Sequence, residues 1–180
     1  MHNLEELLMH ELRDIYHAEG QLVKALPKMA KAAKNAELRT AFQEHTEQTK
    51  GQVERLKQCF EQMGNRVKGE PCEGMQGLIQ EAQELMQEDA EDVVKDLGLL
   101  GAADKVEHYE ISSYEGAVMM ARMMGLNQVA DLLQQNLAEE QETAKRMQRM
   151  VKPMMKEAAS LGHEDEEMEG EEMEEEEEEV

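Results

Sequence analysis

Apolar positions near the start of the chain recur with a helical period. Behind Asn3, a good N-cap, Glu5 and Glu6 sit at the positive end of the helix that follows. Leu4, Leu8, Leu12, Ile15, Leu22, Leu26 and Met29 then form one stripe running to about Lys34. Pro27 interrupts it and predicts a kink, because its ring removes a backbone donor. A second stripe begins near Glu37 with Leu38, Phe42, Val53, Leu56 and Phe60, and Gly64 suits the residue that closes such a helix. The segment "GNRVKGEPCEG" reads as the longest loop, and a shorter amphipathic piece from Met75 to about Gln87 carries Leu78, Ile79 and Met86. From Asp92 a third long helix reaches Met124, and Gly125 to Asn127 make a tight turn. The fourth carries Val129, Leu132, Leu133, Met147, Met150 and Val151 and is expected to fray after Pro153.

Four long helices in two hairpins, with the longer link between the second and third, predict an all-α fold. The outline is a ferritin-like four-helix bundle with a short extra helix in the crossover between helices 2 and 3. Composition agrees: aromatics are 3 %, Trp is absent and Met reaches 16 residues, a core chemistry of helix on helix rather than of sheets.

Charge divides the chain. Of 41 acids, 13 fall from His163 onward, where no Lys or Arg occurs, so 28 acids face 19 bases in the body and reduce the net charge of −22 to −9 there. Residues 1–160 are therefore expected to form the bundle and 161–180 a solubilising acidic tail, disordered because it repels itself and buries nothing. Such a balance excludes nucleic acid, whose phosphates need clustered bases. Cys59 and Cys72 are too few for a zinc cluster or disulfide scaffold. No apolar run approaches a bilayer span, and "MHNLEELLMHELRD" does not read as a signal peptide, so a cytoplasmic protein without membrane partners is expected.

Each long helix also places polar groups on its apolar stripe. These are Glu19 on the first; His45, Thr49 and Gln52 on the second, with Gln48 on the neighbouring edge; Glu107 and Glu110 on the third; Asn136 and Glu140 on the fourth. A single acid of this kind is ordinarily a half-exposed boundary residue, but acids on inner faces of several helices converge. Buried carboxylates repel one another, so some must protonate or a cation must sit among them. Iron or manganese, held by carboxylates and an imidazole, answers that need. Tyr16 or Tyr114 could neighbour such a site, and His108 is an outer candidate. The run "MMARMMG" reads as core filling.

The segments "LLMHELRDIYHAEGQLVKALPKMAKAA", "AFQEHTEQTKGQVERL", "AADKVEHYEISSY" and "LAEEQETAKRM" resemble the four helix signatures of the YciE/YciF stress-protein family, within the ferritin-like superfamily. The resemblance covers about residues 1–150, and "KVEHYEISSY" is its most specific part. It implies a rubrerythrin-like bundle, a homodimer and a di-iron or di-manganese centre. Carried over, the pattern places metal ligands at Glu19, His45, Gln48, Glu107, Glu110 and Glu140, with Thr49 in the second-helix motif. Two departures weaken a second metal position: Gln48 stands where the family usually has Glu, and Thr143-Ala144-Lys145 stands where it usually has an Asp. A single or weakly held metal is the alternative.

Two functions compete. One is a stress-related protein whose metal acts on peroxide, oxygen or ferrous iron. The other is a non-catalytic, dimeric structural protein with a degenerate site. Nothing in the sequence supports the contacts of a storage cage.

Overall fold

Helices start where the sequence supplies an acceptor for their first free N–H groups. The Asn3 side chain accepts from the Glu6 amide at 2.8 Å, and that of Asn35 accepts from Glu37 and Leu38 at 2.9 and 3.0 Å. In a computed structural model the chain forms α1 (Leu4–Ala32), α2 (Ala36–Gln62), α3 (Glu73–Gln87), α4 (Asp92–Met123) and α5 (Asn127–Glu178), with no strand among the described residues. The structure describes the backbone of residues 1–178 and side chains through residue 161. The helical backbone of α5 runs on through Glu178, and the side chains of the expected acidic tail from 162 onward lie outside the described residues.

The all-α expectation holds, and the short crossover helix is α3. Gly64 and Gly125 end their helices with φ of 66° and 71°, a left-handed conformation that glycine adopts without a Cβ penalty. Pro153 does not end the last helix. Its ring is exposed, and the buried face marked by Met147 and Met150 continues past it at Met154. Pro27 likewise lies inside α1 on the exposed side, where solvent can meet the carbonyl of Val23 that its ring leaves without a donor. Leu4, at the head of the expected stripe, is exposed.

Short turns make α1 and α2 one hairpin and α4 and α5 the other; α2 against α5 and α1 against α4 close the bundle, and α3 lies over α1 and α4. The turn between α1 and α2 is held from a third helix: buried Asp96 of α4 accepts from the Lys34 amide at 3.0 Å and from the Asn35 amide. The crossover is pinned to α1, where the Glu70 amide reaches the Arg13 carbonyl at 3.2 Å and the Cys72 amide reaches His17 Nδ1 at 3.1 Å. Buried Cys72 caps α3 through Sγ, and burial pushes its thiol up, so it acts as structure rather than as a nucleophile.

The core is two apolar clusters. One gathers Leu22, Leu26, Phe42, Val106 and Met147 with α3; the other gathers Leu12, Ile15, Leu56, Phe60 and Leu133. Along every long helix the polar residues of the inner stripe fall between members of these two clusters. The bundle is thus crossed by one polar layer, and no helix among the described residues is long and apolar enough to cross a membrane.

Candidate metal centre

Residues three or four apart share a helix face, so each long helix presents its inner polar residues to the same level of the core. α1 contributes Glu19, α2 His45, Thr49 and Gln52, α4 Glu107, Glu110 and Tyr114, and α5 Asn136 and Glu140. All nine are buried. Donor atoms of His45, Glu107, Glu110 and Glu140 lie within 4.8 Å of one another.

The imidazole of His45 stands between two acids, Nδ1 3.1 Å from Glu107 Oε1 and Nε2 3.5 Å from Glu140 Oε2. Both contacts have ion-pair distances but lack hydrogen-bond alignment. Gln52 Nε2 donates to Glu140 Oε1, and the Tyr114 hydroxyl donates to Glu19 Oε1. The Thr49 hydroxyl donates to the carbonyl of His45 on its own helix at 2.8 Å. Five carboxylate oxygens and one amide oxygen accept no hydrogen bond: Glu19 Oε2, Glu107 Oε2, both of Glu110, Glu140 Oε2 and Gln52 Oε1.

Electrostatics follow from this crowding. Burial, then the Glu140 charge, holds the Glu19 carboxyl well above its ordinary range; burial, then Glu19, does the same for Glu110. Burial pushes Glu107 up to about 8 against the downward pull of His45. Burial would discharge His45, yet Glu107 and Glu140 together raise it well above 6.5. The Tyr114 phenol is raised by burial and by Glu19, so it stays a proton donor. A cation placed here would meet three carboxylates and an imidazole, with unpartnered oxygens ready to hold it. That donor set fits iron or manganese, which take hard oxygen donors and imidazole together.

Four of the six expected ligands, His45, Glu107, Glu110 and Glu140, therefore converge, with Glu19 buried in the same layer. Gln48 does not: it is exposed, and its Oε1 accepts from Thr143 at 3.4 Å on the outer seam of α2 and α5. At about 100° per residue, His45, Thr49 and Gln52 define the inner face and position 48 falls to its edge, so Gln52 is the amide that reaches the acids. His108 also lies outside, exposed, with Nδ1 2.8 Å from the Asp104 carbonyl of its own helix. Of the two tyrosines considered, Tyr114 is at the centre, whereas the Tyr16 ring packs edge-on against Phe60 at 5.8 Å. Arg55 was not singled out by the sequence, yet its Nε donates to Asn136 Oδ1 beside the centre. Its spacing from Gln52 was the available signal.

Residues 3–160 match a family profile described as Domain of unknown function (DUF892). Protein YciF of Escherichia coli (strain K12) is 42 % identical over 144 residues, 79 % of this chain and 87 % of that protein. The crystal structure of the E. coli stress protein YciF has a TM-score of 0.84 to this fold at 38 % identity, covering 87 % of this chain and 99 % of that one. YcfI of Rhodopseudomonas palustris gives 0.79 at 40 % identity, covering 81 % and 93 % of the two chains. The protein XCC3681 of Xanthomonas campestris pv. campestris, at 22 % identity and a TM-score of 0.70, shares the fold.

Proposed function

The chain belongs to the DUF892 family and is YciF-like over most of its length, and on that footing we propose that it is a stress-related protein holding iron or manganese in its core. The reading takes it as a cytoplasmic homodimer whose metal serves chemistry on peroxide, oxygen or ferrous iron. One observation carries the proposal: four buried metal-ligating side chains from three helices converge within 4.8 Å, and their carboxylates leave oxygens unpartnered. A helical bundle does not place several acids at one level of its core unless bound protons or a counter-charge offset their repulsion, and a cation does so for all of them at once.

His45, Glu107, Glu110 and Glu140 would hold the cation, with Glu19 close by. Bound iron or manganese would supply reversible one-electron chemistry. The chain's own part is to orient the ligands and exclude water. Gln52 fixes Glu140 by its Oε1, Tyr114 fixes Glu19, and the two apolar clusters seal the layer from both sides.

A second reading, a structural protein with a degenerate site, has its own support. His45 lies between Glu107 and Glu140, so part of the charge can be neutralised without metal. Elemental analysis of native protein separates the two, together with melting curves of chelator-treated protein given Mn(II) or Fe(II). A cation that binds only the folded state adds about 2.7 kcal/mol at a hundredfold excess over its dissociation constant. The expected result is a raised Tm that Glu110→Ala abolishes. Native protein without iron or manganese, and a Tm unmoved by either, would select the structural reading.

A further inference from the structure

A chain of side-chain hydrogen bonds joins the surface to Glu19. Arg55 of α2, at 20 % side-chain exposure, pairs with Glu139 through Nη2 and donates Nε–H to Asn136 Oδ1. Asn136 Nδ2 donates to the Tyr114 hydroxyl at 2.9 Å and to the Gln52 carbonyl at 3.4 Å. The Tyr114 hydroxyl donates in turn to Glu19 Oε1.

Every bond in this chain points the same way, and the reason is chemical. A guanidinium has no acceptor, so the atom of Asn136 facing Arg55 must be the oxygen. The amide nitrogen then faces Tyr114 and the Gln52 carbonyl, and its two protons match those two acceptors. Tyr114 has one proton and already accepts from Asn136, so that proton goes to Glu19. With Oε1 held by the Tyr114 proton, Oε2 is the oxygen of Glu19 left without a partner, and a cation bound there meets no competing donor.

We propose that Arg55 is a positioning residue that, through Asn136 and Tyr114, sets Glu19 with Oε1 locked and Oε2 free toward the centre. The proposal rests on the reading of the centre as a cation site. Its electrostatic alternative has the opposite sign. As a plain positive charge beside a cation site, Arg55 would weaken binding, and its removal would tighten it. As the anchor of a directional network, its removal lets the Asn136 amide and the Tyr114 hydroxyl turn, and binding weakens.

The test uses the full chain and two readouts. One is equilibrium dialysis with Mn(II). The other is the tyrosine Raman doublet of metal-free protein, whose intensity ratio reports whether a phenol donates or accepts; Tyr114→Phe identifies the Tyr114 contribution. Arg55→Met is expected to weaken Mn(II) by up to about tenfold, the low end of the range for losing a direct partner of a ligand because Arg55 acts through Asn136 and Tyr114, and to shift the doublet. Arg55→Lys, which keeps a donor without an acceptor, should restore most of both. Mn(II) bound by wild type and equally or more tightly by Arg55→Met, or an unmoved doublet, overturns the role of Arg55 and leaves the centre standing. A wild-type protein that binds neither Mn(II) nor, in anaerobic dialysis, Fe(II) overturns the centre itself and this role with it.

Discussion

Without metal, this protein should lose stability as pH rises across neutrality. Glu110 and Glu19 are held well above 4.5, Glu107 is raised to about 8, and His45 well above 6.5. In each case the folded chain binds the proton more tightly than the unfolded chain, so all four contributions have one sign. Such a group withdraws about 1.4 kcal/mol of stability per pH unit between its unfolded and folded values. For Glu107 that window runs from 4.5 to about 8; for Glu19 and Glu110 it opens at 4.5 and extends upward. The stabilisation from protonated His45 is complete below 6.5 and declines as pH climbs toward its raised value.

From about pH 5.5 to about pH 7.5 one such carboxyl alone removes about 2.7 kcal/mol, a large part of a total near 5–15 kcal/mol. Urea unfolding followed by circular dichroism, with chelator present, measures the slope. Glu110→Gln keeps the shape and removes one titrating group, so its slope should be shallower by about 1.4 kcal/mol per pH unit. Bound Mn(II) requires deprotonated ligands, so its stabilising effect should grow over the same range. A chelated wild type whose stability is flat or rises with pH would refute the reasoning, and so would a Glu110→Gln slope equal to that of wild type. The comparison with Glu110→Gln separates the core from the general repulsion of a chain at −22.

Two further predictions concern the frame that carries the centre. Asp96→Ala strands the Lys34 and Asn35 amides and should lower stability by about 3 kcal/mol, seen as an earlier urea midpoint; Asp96→Asn should recover part of it. Gly74→Ala should also destabilise, by about 1–2 kcal/mol on balance, because its Cβ would lie 2.9 Å from Tyr109 Cε2 and the clash outweighs alanine's helical advantage. A later midpoint for Gly74→Ala would mean that the Tyr109 ring yields.

What could be read from the sequence was periodic. The stripes through Leu12, Phe42 and Leu133 located three of the long helices, and the polar residues on the inner faces located one layer of the core. Local chemistry located Asn3, Gly64 and Gly125. Long-range contacts left weaker traces. Asp96 holds a turn 61 and 62 residues away, and nothing near it in the chain announces that. Arg55 reads as an ordinary surface base until α5 brings Asn136 beside it. Pro153 misled because a proline stops a helix only where the ring meets packed neighbours or the lost bond goes unmet, and this one faces solvent.

Position 48 is the most instructive case. The helical period alone put Thr49 and Gln52 on the inner face of α2 and Gln48 on its edge; the family resemblance drew Gln48 into the ligand set. The structure sides with the period, since Gln48 is exposed while Gln52 is fully buried against Glu140. The two glutamines therefore make a controlled pair. Gln48→Glu adds a carboxylate in water and should change stability by no more than about 0.5 kcal/mol, with Mn(II) binding unaltered. Gln52→Glu adds the same group inside the acid layer, where it loses the amide donor to Glu140 and meets like charge. In metal-free protein it should lower stability by about 3 kcal/mol or more, by the penalty for a buried charge left without a partner. With Mn(II) present the added donor should tighten binding, so the two measurements move in opposite directions for one substitution. If Gln48→Glu behaves this way and Gln52→Glu is silent, α2 is rotated about its axis relative to this structure, and the centre must be rebuilt around position 48.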